Sequence, residues 1–244
     1  NYRSDDLAVD VIKHLMKTKI YHLLTKRYMA VLTMLIAPLF GFIDRNFVYF
    51  FGLGVAILLL WSSNFNWSKF GMGKKITRKT LIQSIFLTAL IFIAFGIFID
   101  PILQHYLGNF DLSSVEDIRG NLLGYSILMI VMWVFAAFGE EFLFRGFYMK
   151  SLAELFGNTH KSWLLAAFIT SIYFGVSHAY QGLVGVISVF LWSFLISILF
   201  CKNRQYLLLL VLVHGLSDTI GLTLIYLNKD HLISEWVTKI FWQN

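Results

Sequence analysis

The sequence has 244 residues, of which 58% are hydrophobic and 14% are charged. Soluble globular domains are closer to half apolar and a quarter charged, so this composition and a mean hydropathy of +0.70 argue against a soluble protein. The formal net charge of +6 does not indicate nucleic-acid binding, because basic residues in membrane proteins usually mark cytoplasmic loops and anionic lipid surfaces.

The apolar runs predict an all-α fold, a polytopic bundle of membrane helices. The run 81–99 contains no charged residue, and a stretch of about 18 apolar residues is typical of a transmembrane helix. We expect residues 1–80 to form an amphipathic helix followed by a short helical hairpin, and residues 81–244 to form the functional core. About seven spans are predicted, at 28–43, 46–62, 81–99, 122–144, 163–181, 183–201 and 206–227.

Amphipathic segments flank the spans at both ends. In segment 7–27 the apolar residues that share one helical face are Val11, Ile12, Leu15, Met16, Ile20, Leu23 and Leu24. In segment 231–244 they are Ile233, Trp236, Val237, Ile240 and Phe241. Such helices either lie in the headgroup plane of a membrane or pack against the bundle, and the sequence leaves both alternatives open.

The loop charges predict the orientation in the membrane. Loops 64–80, 145–161 and 202–204 are basic, as is the N-terminal stretch, whereas loop 100–121 is acidic. Positively charged loops usually stay in the cytoplasm, so we expect a cytoplasmic N-terminus and a C-terminus outside. An odd number of spans agrees with this orientation.

Three ionisable residues, Glu140, Glu141 and Arg145, lie at the end of the fourth predicted span. On a helix, Glu141 and Arg145 are four positions apart on one face, which favours an ion pair. Glu140 points about a quarter turn away and remains available for chemistry. A charge near the bilayer centre costs at least about 2.5–3.5 kcal/mol, which favours a functional role. The alternative is that all three residues belong to a cytosolic helix end.

Two further spans carry histidines. His178 follows Phe174 by four residues, so the two rings share a helical face. His214 and Asp218 are also four apart, close enough for Asp218 to orient the imidazole. Each pair alone is compatible with a structural role. Together with Glu140 they supply a carboxylate that activates water and imidazoles that polarise a carbonyl or bind a metal.

Other hydrolytic motifs are missing from the sequence. There is no His-Glu-x-x-His pair and no Gly-x-Ser-x-Gly elbow. Ser217 lies three residues after His214 on one helix, which is poor geometry for a nucleophile and its base. No Gly-x-Gly-Asp sequence surrounds an intramembrane aspartate. The remaining chemistry is that of a glutamate with histidines.

The three motifs together resemble those of the CAAX protease and bacteriocin-processing (CPBP, or Abi) family, which includes the type II CAAX prenyl endopeptidases. The resemblance covers roughly residues 120–225 and implies a mostly helical intramembrane endopeptidase with its protease core within residues 81–244. The matching motifs, in the family's order, are Glu140-Glu141-x-x-x-Arg145, Phe174-x-x-x-His178 and His214-x-x-x-Asp218.

The resemblance also implies a role for each residue. Glu140 and His178 would activate the water, while His214 and Asp218 would hold the developing oxyanion. A catalytic zinc is compatible with the resemblance, since Glu140, His178 and His214 provide three protein ligands and leave one position open. The supporting residues would be Glu141, Arg145 and Phe174.

Asp218 departs from the asparagine of the CAAX endopeptidase branch. An ionised aspartate cannot donate a hydrogen bond to an oxyanion. Asp218 is therefore either protonated, which burial favours, or it orients His214 or a metal ligand instead.

The predicted spans place these motifs at different depths. Glu140 lies about 27 Å from the outer end of a helix that starts at Leu122, whereas His178 lies within about 5 Å of the outer end of its span. A single site requires similar depths. We therefore expect the fourth helix to extend over 122–155, so that tilt and kinks bring the groups level.

These features predict an intramembrane endopeptidase that uses a glutamate-activated water on a membrane-associated, lipidated or leader-peptide substrate. One alternative is a non-catalytic scaffold of the same fold that regulates a membrane protein partner, and another is a proton-coupled transporter. The expected partners are membrane lipids and a peptide or lipidated protein substrate, without nucleic acid. Richness in Phe and Lys favours a bacterial plasma membrane, where bacteriocin or signalling-peptide processing is a candidate activity.

Overall fold

The computed structural model describes residues 2–242, and in this range the chain forms helices without any β-strand. The predicted all-α fold is confirmed. The nine helices of the described residues are α1 Tyr2–Leu24, α2 Met29–Phe40, α3 Arg45–Ser62, α4 Arg78–Leu107, α5 Leu122–Leu155, α6 His160–Ser177, α7 Gly182–Lys202, α8 Leu207–Tyr226 and α9 Leu232–Trp242.

The number of membrane spans differs from the predicted seven. Within the described residues, five helices are long and apolar enough to cross a membrane: α3, α4, α5, α7 and α8. A sixth span results if α1 and α2, which meet at 86°, form one broken span. Helix α2 has 12 residues and reaches only about 18 Å, too short to cross alone. Helix α6 carries Ser and Thr side chains that are buried inside the bundle rather than exposed to lipid.

Helix α5 runs unbroken from Leu122 to Leu155, as the depth argument predicted. Its 34 residues span about 50 Å, well beyond the roughly 30 Å hydrocarbon core of a bilayer. The backbone is π-helical over Met132–Glu140 and Phe142–Met149, and α-helical at both ends. Such π-helical turns are rare and frequently lie at functional sites.

The core of the bundle surrounds the second half of α5. Every residue from Glu141 to Met149 is buried. Leu53 and Ala56 of α3 belong to the same core cluster as Phe142 and Tyr148 of α5. The N-terminal hairpin and the region after residue 80 therefore share one hydrophobic core.

Helices α5 and α8 lie side by side along most of the length of α8. At one end Tyr125 donates to or accepts from Thr223, with 2.9 Å between the hydroxyl oxygens, and its ring stacks on Tyr226. In the middle, Gly215 faces the Trp133 ring so closely that a Cβ atom would lie 2.4 Å from it. Glycine thus permits the close approach that brings His214 to α5.

The two amphipathic segments behave differently. In α1 the apolar side chains of Val11, Ile12, Leu15 and Met16 are exposed, while Lys17 points back to Trp61 and Asn64 of the bundle. This favours the interfacial alternative for α1. In α9, Val237 is buried against the bundle and Trp242 stacks on His105 of α4, while the other large apolar residues Trp236, Ile240 and Phe241 are exposed. Helix α9 therefore packs one side against the bundle and exposes apolar side chains on another side, as an interfacial helix does.

Candidate active site

The centre of the site is a buried ion pair between Glu141 and Arg145 of α5. The side chains are 0% and 1% exposed, and Arg145 Nη1 donates to Glu141 Oε1 at 2.9 Å. The predicted pairing across one helical turn is confirmed. Buried charges are retained in proteins only where they are paired and hydrogen-bonded, so this pair implies strong structural support around it.

That support comes from the serines of two neighbouring helices. Arg145 Nη2 donates to the carbonyl and hydroxyl oxygens of Ser193 at 3.0 and 2.8 Å, and Nε donates to Ser197 Oγ at 3.2 Å. Ser193 in turn donates to Ser171 Oγ at 3.2 Å. The guanidinium also lies over the Phe174 ring, 5.2 Å from its centroid. Arg145 thus fixes α5 against α7, and through Ser171 and Phe174 against α6.

Glu141 also holds the imidazole of His214. The distance between His214 Nδ1 and Glu141 Oε1 is 2.9 Å. Glu141 Oε1 is a carboxylate oxygen and has no proton to donate, so it accepts hydrogen bonds from both Arg145 and His214. Nδ1 of His214 therefore carries the proton of the bond to Glu141. The ring is thereby oriented so that Nε2 points away, 3.4 Å from Asp218 Oδ2 and 3.9 Å from Glu140 Oε2.

The site has a sealed layer and an accessible layer. Glu141, Arg145 and His214 are almost completely buried, whereas the side chains of Glu140 and Asp218 are 19% and 34% exposed. The accessible carboxylates face the free nitrogen of His214. This arrangement matches the predicted division between a structural Glu141 and an available Glu140.

His178 ends α6 beside this cluster. Its Nδ1 donates to the carbonyl oxygen of Phe174 at 2.8 Å, which satisfies one of the unpaired carbonyls at the helix end. The Phe174 ring centroid lies 4.7 Å from that of His178 and 6.4 Å from that of His214. In residues 2–242 no direct hydrogen bond or ion pair joins His178 to Glu140, so any cooperation between them requires a bridging molecule.

Aromatic rings enclose the imidazoles. Trp192 of α7 contacts His214 edge to face, with 4.7 Å between centroids. The centroid of the Tyr180 ring lies 5.7 Å from that of His178. The guanidinium of Arg45 lies over the Tyr180 ring, 5.0 Å from its centroid. These rings restrict the motion of the two histidines and lower the local polarity around the carboxylates.

A family comparison agrees with this geometry. Residues 122–220 match the family model described as type II CAAX prenyl endopeptidase Rce1-like. The chain is therefore similar to the type II CAAX prenyl endopeptidases over this segment. The matched segment begins with α5 and ends within α8, so it contains all three motifs of the site. No curated protein and no solved structure matched the chain. The match and the apolar helices together indicate an integral membrane protein.

Zinc does not fit this site as the side chains stand. A catalytic zinc needs three protein ligands around one ion. Among the described residues, no three His, Cys, Asp or Glu side chains converge in a way that could hold a metal ion, and this includes Glu140, His178 and His214.

Sequence reasoning missed the residues that hold the buried network. Ser193 and Ser197 are four positions apart in an otherwise apolar span, and this spacing was a usable signal for a polar helix face. The contact between Glu141 and His214 had no such signal, since it joins two helices 73 positions apart in the sequence. Asp218 lies within reach of His214, 3.4 Å from Nε2, as the spacing predicted, and Glu141 holds the opposite ring nitrogen.

Proposed function

We propose that this protein is an intramembrane endopeptidase in which Glu140 activates the attacking water. The observation that carries the proposal is the sealed Glu141–Arg145–His214 network, which presents one free imidazole nitrogen to two accessible carboxylates. A network that only stabilised the bundle would have no use for Glu140, whose charge is costly at this depth and is not needed to neutralise Arg145.

In the proposed first step, the Glu140 carboxylate takes a proton from water. The water oxygen bonds to the scissile carbonyl carbon, and the π electrons of the carbonyl move to its oxygen, which becomes an oxyanion. The Nε2–H of protonated His214 donates to this oxyanion, while Nδ1–H remains on Glu141. His178 Nε2 is free to accept a hydrogen bond from the water, because its Nδ1 is engaged by Phe174.

In the second step the carbonyl double bond re-forms and the carbon–nitrogen bond breaks. The electron pair of that bond goes to the leaving nitrogen, which receives the proton held by Glu140. The products are a carboxylic acid and an amine, and Glu140 is again ionised. The charges of the enzyme are the same after the cycle as before it, so the buried pair beneath the site need not rearrange.

The depth of Glu140 indicates the class of substrate. Glu140 lies about 27 Å from one end of α5 and about 22 Å from the other, near the middle of a helix that exceeds the bilayer core. A substrate must bring its peptide bond to that depth. We therefore propose a lipidated peptide or a membrane-inserted leader peptide, the latter for a bacterial membrane without prenylated proteins.

The test compares two glutamates of the same helix. Glu140→Gln removes the proposed base, and Glu154→Gln is the matched control because Glu154 is exposed at the end of α5. The purified variants are incubated with quenched peptides, with and without a lipid anchor. We expect Glu140→Gln to lower cleavage about 10²–10⁴-fold, the usual contribution of a general base, and Glu154→Gln to retain it.

Other outcomes distinguish the alternatives. Cleavage by Glu140→Gln at the wild-type rate would remove Glu140 from the mechanism. Absence of cleavage by every variant, combined with stable capture of a membrane protein by the wild type, would favour a scaffold. Proton-dependent uptake that survives Glu140→Gln would favour a transporter.

A further inference from the structure

A cavity lies away from the active site, where α1 bends into α2. Its volume is about 300 Å³, within the range of small-ligand sites. Its walls come from α1 and the turn that follows it, from α3, from the short turn 67–70 and from the last part of α5. Its polar lining includes Tyr21, Lys26, Arg27, Lys69, Lys150 and Glu154.

The cavity is strongly cationic. Lys26, Arg27, Lys69 and Lys150 line it, against the single carboxylate of Glu154. Glu154 approaches Lys150 only to 4.0 Å and is half exposed, so it offsets little of this charge. Within the described residues, Lys26 and Arg27 form no ion pair. Four cations around one small cavity repel each other unless an anion is present.

Two of the lysines are held in place by the protein. Lys150 Nζ donates to the backbone carbonyl of Lys69. Lys69 Nζ donates to the Tyr21 hydroxyl and lies 4.2 Å from the centroid of the Tyr21 ring. Each ammonium has three N–H donors and retains at least one for a ligand. The cavity is thus partly preorganised for a compact anion with several acceptor oxygens.

The surroundings resemble a membrane interface. The apolar side chains of Leu24, Leu59 and Phe147 complete the walls, and α1 exposes an apolar face next to the opening. A basic pocket between membrane helices, bordered by apolar surface, is suited to the headgroup of an anionic phospholipid.

We propose that this cavity binds a phosphate group, carried by an anionic phospholipid or by a soluble phosphate compound. The phosphate oxygens accept hydrogen bonds from Lys150 and Lys69 on the inner side and from Lys26 and Arg27 at the opening. The ligand links the end of α1 to the end of α5, the helix that carries Glu140, but its binding does not depend on any catalytic step.

The experiment measures lipid binding by the full chain in detergent, by native mass spectrometry with added phosphatidylglycerol. Lys26→Gln combined with Arg27→Gln removes two cations at the opening without breaking a contact described above. Lys75→Gln combined with Lys79→Gln is the matched control, since both side chains are exposed, at and just before the start of α4, and lie outside the cavity. We expect the first variant to bind about 25-fold more weakly, because each cation near an anionic surface contributes roughly a fivefold factor. The control should bind like the wild type.

A second measurement separates the two sources of phosphate. Thermal unfolding in lipid-free detergent is followed with inorganic phosphate and with chloride at equal ionic strength. A rise in the unfolding temperature with phosphate alone, absent in the Lys26→Gln/Arg27→Gln variant, assigns the cavity to a soluble phosphate compound. Retention of phosphatidylglycerol without that rise assigns it to a lipid. Equal lipid loss in both double variants, or no binding of either probe by the wild type, would overturn the proposal.

Discussion

Arg145 donates to three side chains on two helices while its charge is fully buried. Lysine keeps the charge but lacks the planar fork that reaches Glu141, Ser193 and Ser197 together. We expect Arg145→Lys to destabilise the fold by at least about 2 kcal/mol, since hydrogen bonds to charged groups contribute about 1.5–3 kcal/mol. Thermal unfolding in detergent measures this as a lower unfolding temperature, by about 4–8 °C for a chain of this size.

The control for Arg145 is Arg78→Lys. Arg78 is exposed at the start of α4, where a change from Arg to Lys removes no buried contact. Its unfolding temperature should equal that of the wild type. Equal temperatures for Arg145→Lys and Arg78→Lys would show that the buried fork contributes nothing to stability.

Asp218 stands where asparagine is expected from the family resemblance. Asparagine has the same shape, can donate to an oxyanion and still accepts from His214. We therefore expect Asp218→Asn to cleave peptides within about tenfold of the wild type. Asp218→Leu should lose more activity than Asp218→Asn, because it leaves His214 Nε2 without its polar neighbour at 3.4 Å. Peptide-cleavage rates of the two variants decide this. If the asparagine variant is as inactive as the leucine variant, the negative charge itself is required.

At the residue scale, spacing within one helix was predictable and contact between helices was not. Glu141 and Arg145 pair because four residues make about one turn, whatever the rest of the fold does. The contact of Glu141 with His214 depends on how far α8 is rotated about its axis. That rotation is set by packing, here by Gly215 against Trp133, and leaves no periodic trace in the sequence.

Between elements, the approach of α8 to α5 depends on Gly215. A Cβ atom at this position would lie 2.4–2.6 Å from three atoms of the Trp133 ring, which is rigid. We expect Gly215→Ala to destabilise the fold by about 1–3 kcal/mol, the usual cost of overpacking. It should also reduce cleavage, because the neighbouring His214 moves away from Glu141. Thermal unfolding and peptide cleavage measure the two effects.

Gly221→Ala is the matched control in the same helix. Nothing lies within 4 Å of a Cβ atom there. Alanine is the better helix former by about 1 kcal/mol, so this variant should be as stable as the wild type or more stable. If both alanines had the same effect, helix propensity rather than the contact with Trp133 would explain it.

The loops at the far ends of α5 and α8 are joined by Arg119 and Asp230. Arg119 donates to both carboxylate oxygens, at 2.5 and 2.9 Å. This hydrogen bonding holds the pKa of Asp230 below its ordinary value. The folded pKa is thus lower than the unfolded one of about 3.9, so the pair stabilises the fold above that pH. The stabilisation is lost as the pH falls through the folded pKa.

We expect Asp230→Asn to lower the unfolding temperature near neutral pH, and the difference to disappear as the pH falls through the folded pKa, where the wild-type carboxyl becomes protonated as well. The side chains of Arg119 and Asp230 are 31% and 19% exposed, so the effect should not exceed about 1 kcal/mol. Unfolding temperatures of the two proteins across this pH range provide the measurement. A difference that persists in acid would assign the effect to something other than the ion pair.

The extent of α5 shows why element boundaries were hard to predict from hydropathy. The apolar run weakens at Glu140, and the predicted span accordingly ended at residue 144. The helix continues to Leu155 because the polar groups of Glu141 and Arg145 find partners inside the bundle. The requirement for a single site predicted this extension, but the π-helical backbone around Glu141 had no signal in the residue pattern.

For the whole molecule, the orientation in the membrane stays a prediction. The single cysteine, Cys201, is buried, so a Cys201→Ser background permits labelling at chosen positions. Lys75→Cys probes a basic loop and Ser113→Cys the acidic loop on the other side of the bundle, both exposed. We expect a membrane-impermeant maleimide to label Ser113→Cys in intact cells and Lys75→Cys only after permeabilisation, because basic loops stay inside. The reverse pattern would invert the predicted topology.

The seven apolar segments were found correctly as helices, but their number did not give the number of spans. Hydropathy counts apolar residues and does not distinguish lipid from protein as the neighbour. Helix α6 has Thr170 and Ser171 buried inside the bundle, and α2 ends after 12 residues. Both helices are apolar enough to pack in a protein core. Neither crosses a membrane alone, because α6 is too polar and α2 is too short.

The π-helical turns of α5 have a consequence for how this sequence can change in length. Each such turn holds one residue more than an α-helical turn, so it is equivalent to a single-residue insertion that the helix has absorbed. Deleting one residue between Met132 and Glu140 would allow a π-helical turn to relax to an α-helical turn, and the two sides of the deletion would keep their rotational alignment. Glu141 and Arg145 would then still face the same neighbours, whereas the same deletion in a regular α-helix would rotate them by about 100°. Along this stretch, homologous chains should therefore tolerate a change of one residue in length that the α-helical parts of the bundle would not.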